Sequence, residues 1–157
     1  ESVERLDHPD AMSIEVADHV RATRLYHNSA QVHFDQQTMA SSRFGKRLVY
    51  AGHVISIAMA LSQNGLGTAL RIAAGIGGAH VGPTFAGDTL RAFSEVVEKA
   101  ELPGRNDVGA LRLRLSAVKN VPAAELAGVP PLLSGTKEPR IVLELDYWAL
   151  LPRARAK

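Results

Sequence analysis

The sequence predicts an α+β fold in which an antiparallel sheet curls around one central helix, and three observations carry that expectation. Tyr50–Gly65 is the least polar helical stretch. Its Val54, Ile57, Ala58 and Leu61 recur at the spacing of one helical face, while Ile55, Met59 and Ala60 leave little polar surface opposite. In Val108–Lys119, Leu111, Leu113 and Leu115 alternate with Arg112, Arg114 and Ser116, the period of a strand with one buried face. Everything after Gly67 reads as long strands divided by turns. A helix apolar on nearly every side must be wrapped, and the strands are what remain to wrap it.

The elements follow in order. Residues 1–12 read as an irregular lead-in, because Pro9 prevents a continuous helix. Ser13 is placed to cap a helix from Ile14 to about Tyr26, with Ile14, Val16, Ala17, Val20 and Thr23 forming a semi-apolar face. Tyr26–Asp35 is dense in polar groups and reads as an ordered loop anchored by Val32 and Phe34; Gln36–Leu48 reads as a short helical turn and a basic connection. Asn64, Gly65 and Gly67 supply a stop for the central helix. Arg71–Val81 is a glycine-rich strand suited to close passage of a helix or ligand, Thr89–Lys99 alternates clearly, and Pro103–Asp107 is a turn. Asn120–Glu138, with Pro122, Pro130 and Pro131, is an excursion before a last strand, Arg140–Leu151. In that strand Ile141, Leu143, Leu145 and Tyr147 face one way and Val142, Glu144, Asp146 and Trp148 the other. The outer face of such a single-layer sheet lacks cover, so a second unit of the same kind is expected as a partner, as a homodimer or a companion domain.

At 157 residues the chain has the size of one domain, 1–157, able to bury a core without crosslinks. With no cysteine, there is no disulfide framework, thiolate nucleophile or zinc–thiolate cluster, which suits a reducing, cytoplasmic setting. No run approaches the ~18 apolar residues of a membrane span, and the acidic start at Glu1 is unlike a leader, so no membrane partner is expected. The 18 basic and 16 acidic residues are interspersed except at the tail Arg153, Arg155 and Lys157, and 5% aromatics without basic interleaving argue against nucleic acid.

Chemistry concentrates around His33. Asn28 lies five residues before it and Asp35 two after. One reading makes His33 a general acid or base with Asn28 holding a water or substrate oxygen; the other makes the segment a loop whose polar side chains cap their own backbone. His27, His33 and Asp35 lack a recognised metal-ligand spacing, so no metal is expected. Gly52, near the start of the central helix, would let a group approach free backbone N–H donors. His53 and His80 suit structural or pocket-lining roles.

Tyr26-His27-Asn28-Ser29-Ala30-Gln31-Val32-His33-Phe34-Asp35 resembles the hydratase motif D-x-N-P-x-H-x-D of the MaoC-like hot-dog dehydratases, and Phe85-Ala86-Gly87-Asp88-Thr89-Leu90 resembles that family's second hallmark, a G-D-T-L turn entering a strand. Asn28 stands where the motif usually has its acid. This variant is similar to a branch of the family, the mesaconyl-CoA hydratases, and the stretches 24–28, 43–56 and 103–113 resemble the carboxy-terminal hot-dog half of those two-unit enzymes. The resemblance implies a hot-dog fold and reversible hydration of an enoyl-CoA thioester, most closely mesaconyl-CoA to β-methylmalyl-CoA. It implies His33 as catalytic base, Asn28 positioning water and the Gly52 N–H as oxyanion donor. Tyr26, Asp35, His53 and Arg47 would bind substrate, with Arg43 and Lys46 beside Arg47 as candidates for the CoA phosphates. CoA enters as part of the substrate, so no separate cofactor is implied. Two alternatives remain. A hot-dog thioesterase would need a carboxylate on the central helix, where there is none, and a non-catalytic CoA-binding half would be expected to have lost His33.

Overall fold

The computed structural model describes residues 4–131 and 138–153; Arg155 and Lys157 of the basic tail and residues 132–137 of the excursion lie outside the described residues. Five strands form one antiparallel sheet: β1 (Glu4–Ser13), β2 (Arg71–His80), β3 (Thr89–Glu101), β4 (Val108–Lys119) and β5 (Ile141–Pro152), in the spatial order β1-β3-β4-β5-β2. Helices α1 (Val16–Leu25), α2 (Gln31–Phe34), α3 (Gln36–Ala40) and α4 (Ala51–Leu66) lie between β1 and β2 in the chain. Among the described residues no helix is long and apolar enough to cross a membrane.

Helix α4 is the central helix. Its Val54, Ile57, Ala58 and Leu61 are buried in the main core with Leu90, Ala92 and Val96 of β3, Leu113, Leu115 and Ala117 of β4, and Leu143, Tyr147 and Ala149 of β5. The helix breaks where the sequence places its stop, at Asn64 and at Gly65, whose φ of +108° favours a residue without Cβ.

Three expectations need correction. Residues 4–13 form a strand, not an irregular lead-in: Glu4 to His8 pair with Val96 to Ala92, and the register shifts between His8 and Met12 around Pro9. An edge strand tolerates the missing N–H of proline there. The strand is hard to read because its buried residue is polar. His8 is fully buried, bridging the Asn64 carbonyl through Nδ1 and the Ser94 hydroxyl through Nε2 (2.8 Å).

Second, Ser13 does not cap α1. Its hydroxyl pairs with Thr89 Oγ1 at 2.8 Å, Glu15 occupies the helix start without a capping bond, and the buried face is His19 and Thr23 while Val16 and Ala17 are exposed. Third, the excursion covers part of the outer sheet face. A 3₁₀ helix, Ala123–Gly128, brings Leu126 and Val129 against Phe93, Val118, Val121 and Ile141 in a second cluster. Arg5 fastens this layer, donating to the carbonyls of Leu126 (2.7 Å) and Val129 (2.6 Å) with its guanidinium 3.8 Å from the Phe93 ring centroid. The register shift between Ala117 and Val118 leaves Val142 as an extra residue of β5, so Val142 joins the main core and Ile141, paired with Val118, turns outward and leaves the face that Leu143, Leu145 and Tyr147 share.

The glycines of β2 also differ from expectation. A Cβ on Gly78 would meet Leu145 and the Glu144 carbonyl, so the close passage there is against β5, while Gly75 and Gly77 face open space. Every described side chain of β2 is exposed, and among the described residues the strand pairs only with β5.

Candidate active site

The first residues of the candidate site are set by the end of α1. His27, at φ +52°, takes the left-handed position after the helix, its N–H bonds the Arg24 carbonyl (3.1 Å) and the Asn28 N–H bonds the Thr23 carbonyl (3.0 Å). This paired bonding satisfies the last carbonyls of the helix and fixes where Asn28 begins. Asn28 Oδ1 then accepts from the Ala30 N–H at 2.9 Å, so its amide oxygen is used in a local turn and its NH₂ group is the polar part left for other partners.

One turn of helix, α2, carries His33. Its Nδ1 lies 3.1 Å from the Leu48 carbonyl oxygen. A carbonyl can only accept, so Nδ1 carries a proton, and the position on the ring that can take one up is Nε2. The ring edge meets Tyr50 at a centroid distance of 5.9 Å and 75°, and Tyr50 in turn lies 6.1 Å from the Tyr26 ring. Asp35, by contrast, is the N-cap of α3: Oδ1 accepts from the Thr38 N–H (2.9 Å) and Oδ2 from its hydroxyl (2.6 Å), and these bonds hold its carboxyl below the usual range. The self-capping reading of the loop therefore describes Asn28 Oδ1 and Asp35. His33 stands apart, bonded to a different segment.

Beside these rings is a cleft of about 510 Å³ lined by Asp18, Arg21, Tyr26, Tyr50, Gly52 and His53 among others. Among the described residues nothing bonds the Gly52 N–H, in the first turn of α4. The aligned peptides of that helix end favour a developing negative charge. A Cβ at Gly52 would come within 2.6–2.8 Å of Tyr50 Cε1, Cζ and Oη, so the missing side chain is what lets the Tyr50 phenol rest on the helix start. Gly52→Ala is expected to push the ring aside at a cost on the order of 1 kcal/mol, because a side-chain end can swing. An altered near-ultraviolet tyrosine signal with little change in Tm checks it; an unchanged signal contradicts this contact.

Of the residues singled out from sequence, Tyr26, Gly52 and His53 line the cleft, and His33 adjoins it through Tyr50. Asn28, Asp35 and Arg47 are not among its lining, and an Arg47 guanidinium N–H donates to the Phe34 carbonyl at 3.3 Å. Sequence reasoning gave no site role to Tyr50, visible only as the first residue of the central helical stretch, or to His19. His19 is buried, with Nδ1 lacking a hydrogen-bond partner, and its pKa falls to about 4, first through burial and then through the charges of Arg47, His53 and His33. Burial likewise lowers His53, opposed by Asp18, and His80, although on the exposed strand β2, is lowered by partial loss of hydration and then by the charge of His33. Four imidazoles thus share one neighbourhood, and no group of three or more metal-ligating side chains occurs among the described residues.

No family model matches the chain. It is 48% identical to the β-methylmalyl-CoA dehydratase of Chloroflexus aurantiacus over 150 residues and 48% identical to the mesaconyl-CoA hydratase of Cereibacter sphaeroides over 156 residues, in each case 96% of this chain and 42% of the relative. The chain therefore spans about two-fifths of the length of the curated relatives it matches. A crystal structure described as a putative MaoC domain protein dehydratase from Chloroflexus aurantiacus superposes with a TM-score of 0.89 at 48% identity, over 98% of this chain and 43% of that one. For the fold alone, a Mycobacterium tuberculosis protein with a double hot-dog fold superposes at 0.70 with 19% identity, over the whole of this chain and 44% of that one. By identity along nearly its whole length and by its helix-wrapping sheet, the chain has the hot-dog fold and is similar to one unit of these MaoC-like dehydratases.

Proposed function

We propose that this chain carries the site for reversible hydration of an enoyl-CoA thioester, with mesaconyl-CoA and β-methylmalyl-CoA as the pair. The observation that carries the reaction is His33, whose bond to the Leu48 carbonyl leaves the Nε2 lone pair for a proton while its ring packs on Tyr50, which lines the cleft together with Gly52. The choice of acyl group rests on the names of the two relatives.

In the hydration direction Nε2 of His33 takes a proton from water as the oxygen attacks the β-carbon of the conjugated double bond. Charge moves to the thioester oxygen, where the Gly52 N–H at the helix start opposes it. The enolate is then protonated at the α-carbon, and the imidazolium is the group on hand to return the proton. Asn28 cannot exchange a proton as a carboxyl group does; its NH₂ group is free to orient the water. Tyr26 and His53 line the acyl path. Asp35 and Arg47 would shape the loop that holds His33.

A second hot-dog unit completes the proposed assembly. Strand β2 is an edge with exposed Leu70, Ile72, Ile76 and Val81 on and beside it, the kind of unprotected edge that another sheet covers. The unit is a second copy or a companion domain, consistent with the two-fifths coverage of the relatives. The test is loss of the enoyl-thioester absorbance on mixing the protein with mesaconyl-CoA, with crotonyl-CoA as comparison. Turnover of mesaconyl-CoA in preference supports the proposal, and turnover of neither by the assembled protein overturns it.

A further inference from the structure

Two packed aromatic rings outside the cleft gather three cations. The segment 43–49 runs beside the turn that precedes β3, where the Val49 N–H donates to the Thr84 carbonyl at 2.8 Å. The Phe44 and Phe85 rings meet there at a centroid distance of 5.9 Å, and both are half-buried. The Arg43 guanidinium lies 4.5 Å from the Phe44 centroid, and the Lys46 ammonium lies 4.4 Å and the Lys119 ammonium 5.8 Å from that of Phe85. Lys119 also donates to the Pro83 carbonyl at 2.6 Å.

Among the described residues none of the three forms an ion pair, although most other basic groups do: Arg105 with Asp107, Arg112 with Asp146, Arg140 with Glu138 and Arg153 with Glu101. The nearby carboxylate is Asp88, and both its oxygens are used, one by the Phe85 N–H (2.9 Å) and one by the Asn120 amide (2.8 Å). Ring faces offset part of the repulsion among three like charges but neutralise none of it. An arriving anion would do so.

We propose that Arg43, Lys46 and Lys119, held on Phe44 and Phe85, bind the phosphates at the nucleotide end of the CoA thioester. The identity of the ligand rests on the hydratase reading; the anion site itself rests on the cluster. The same run of backbone leads from Arg43 through Leu48, which holds His33, to Tyr50 and Gly52, so an extended pantetheine arm would lead from the patch to the cleft. A cluster of three cations suits the few phosphates of one nucleotide, whereas a nucleic acid would require a longer basic stripe. Arg47 takes no part, its guanidinium being turned to the Phe34 carbonyl.

Binding of free CoA to the parent and to an Arg43→Gln, Lys46→Gln double variant, both positions exposed, tests this without needing turnover. The double variant is expected to bind CoA about tenfold or more weakly, more so at low salt, with unchanged Tm. Lys119→Gln is a third arm, interpreted only if its Tm is unchanged, since it also loses the bond to Pro83. With thioester substrates, KM should rise for the CoA ester and stay constant for the pantetheine ester, which lacks the nucleotide, at unchanged kcat. Equal CoA affinity in parent and double variant, or an equal KM rise for both esters, overturns the proposal. CoA binding weakened by the substitutions in a protein that hydrates nothing would sustain the phosphate site and sink the hydratase reading.

Discussion

Hydration by His33→Ala should fall by roughly a hundred- to ten-thousandfold in kcat/KM, the range expected when a positioned general base is removed. The loss should appear mainly in kcat, because the ring is assigned to the water and not to the acyl chain. The variant should fold, since His33 is only half-buried and has one backbone bond, to Leu48. Circular dichroism and Tm beside the rate measurement separate loss of chemistry from loss of structure. Activity within tenfold of the parent would move the base elsewhere, with His53, in the same cleft, the first candidate.

The second large effect is on stability in acid, and it comes from His19. Above its ordinary value of 6.5 the imidazole is neutral folded and unfolded, and contributes nothing to pH dependence. Below that value the unfolded chain takes up a proton that the folded chain refuses until about pH 4, because the ring is buried and faces Arg47, His53 and His33. Stability is therefore lost as pH falls through that window, by an amount on the order of 3 kcal/mol at its lower end. His8 and His53, both lowered by burial, act in the same direction. Denaturant unfolding of the parent and of His19→Gln across this range checks the claim: the variant should lose less stability on acidification. Parallel curves would show that His19 is not the responsible group.

The central helix and strands β3, β4 and β5 were legible because their side chains follow a single period against one core. Val54, Ile57, Ala58 and Leu61 keep helical spacing, and Leu113, Leu115 and Ala117 keep strand spacing. Strand β1 was hidden because its inward group is His8, whose burial depends on partners far away in sequence, Asn64 and Ser94. The inversion at Ile141 was hidden for a related reason: a register shift belongs to a pair of strands and leaves no mark in either one alone. At the site, the motif spacing brought out His33, while the separation of roles around it needed coordinates. Asp35 looks like a partner of His33 in one dimension and is occupied by Thr38 in three, while Asn28 gives its Oδ1 to the Ala30 N–H and keeps only its NH₂ group. His19 and Tyr50 could not be ranked from sequence, because nothing local tells a buried imidazole from an exposed one or places a phenol over Gly52.

The most direct test of the account follows the oxygen. Mesaconyl-CoA is incubated with the assembled protein in oxygen-labelled water, and the products are read by mass spectrometry together with a thiol assay. Hydration predicts an intact thioester heavier by one water, with the label on the β-carbon and no free CoA thiol released. Label in a free carboxylate together with a stoichiometric thiol would mean thioester hydrolysis and contradict the account.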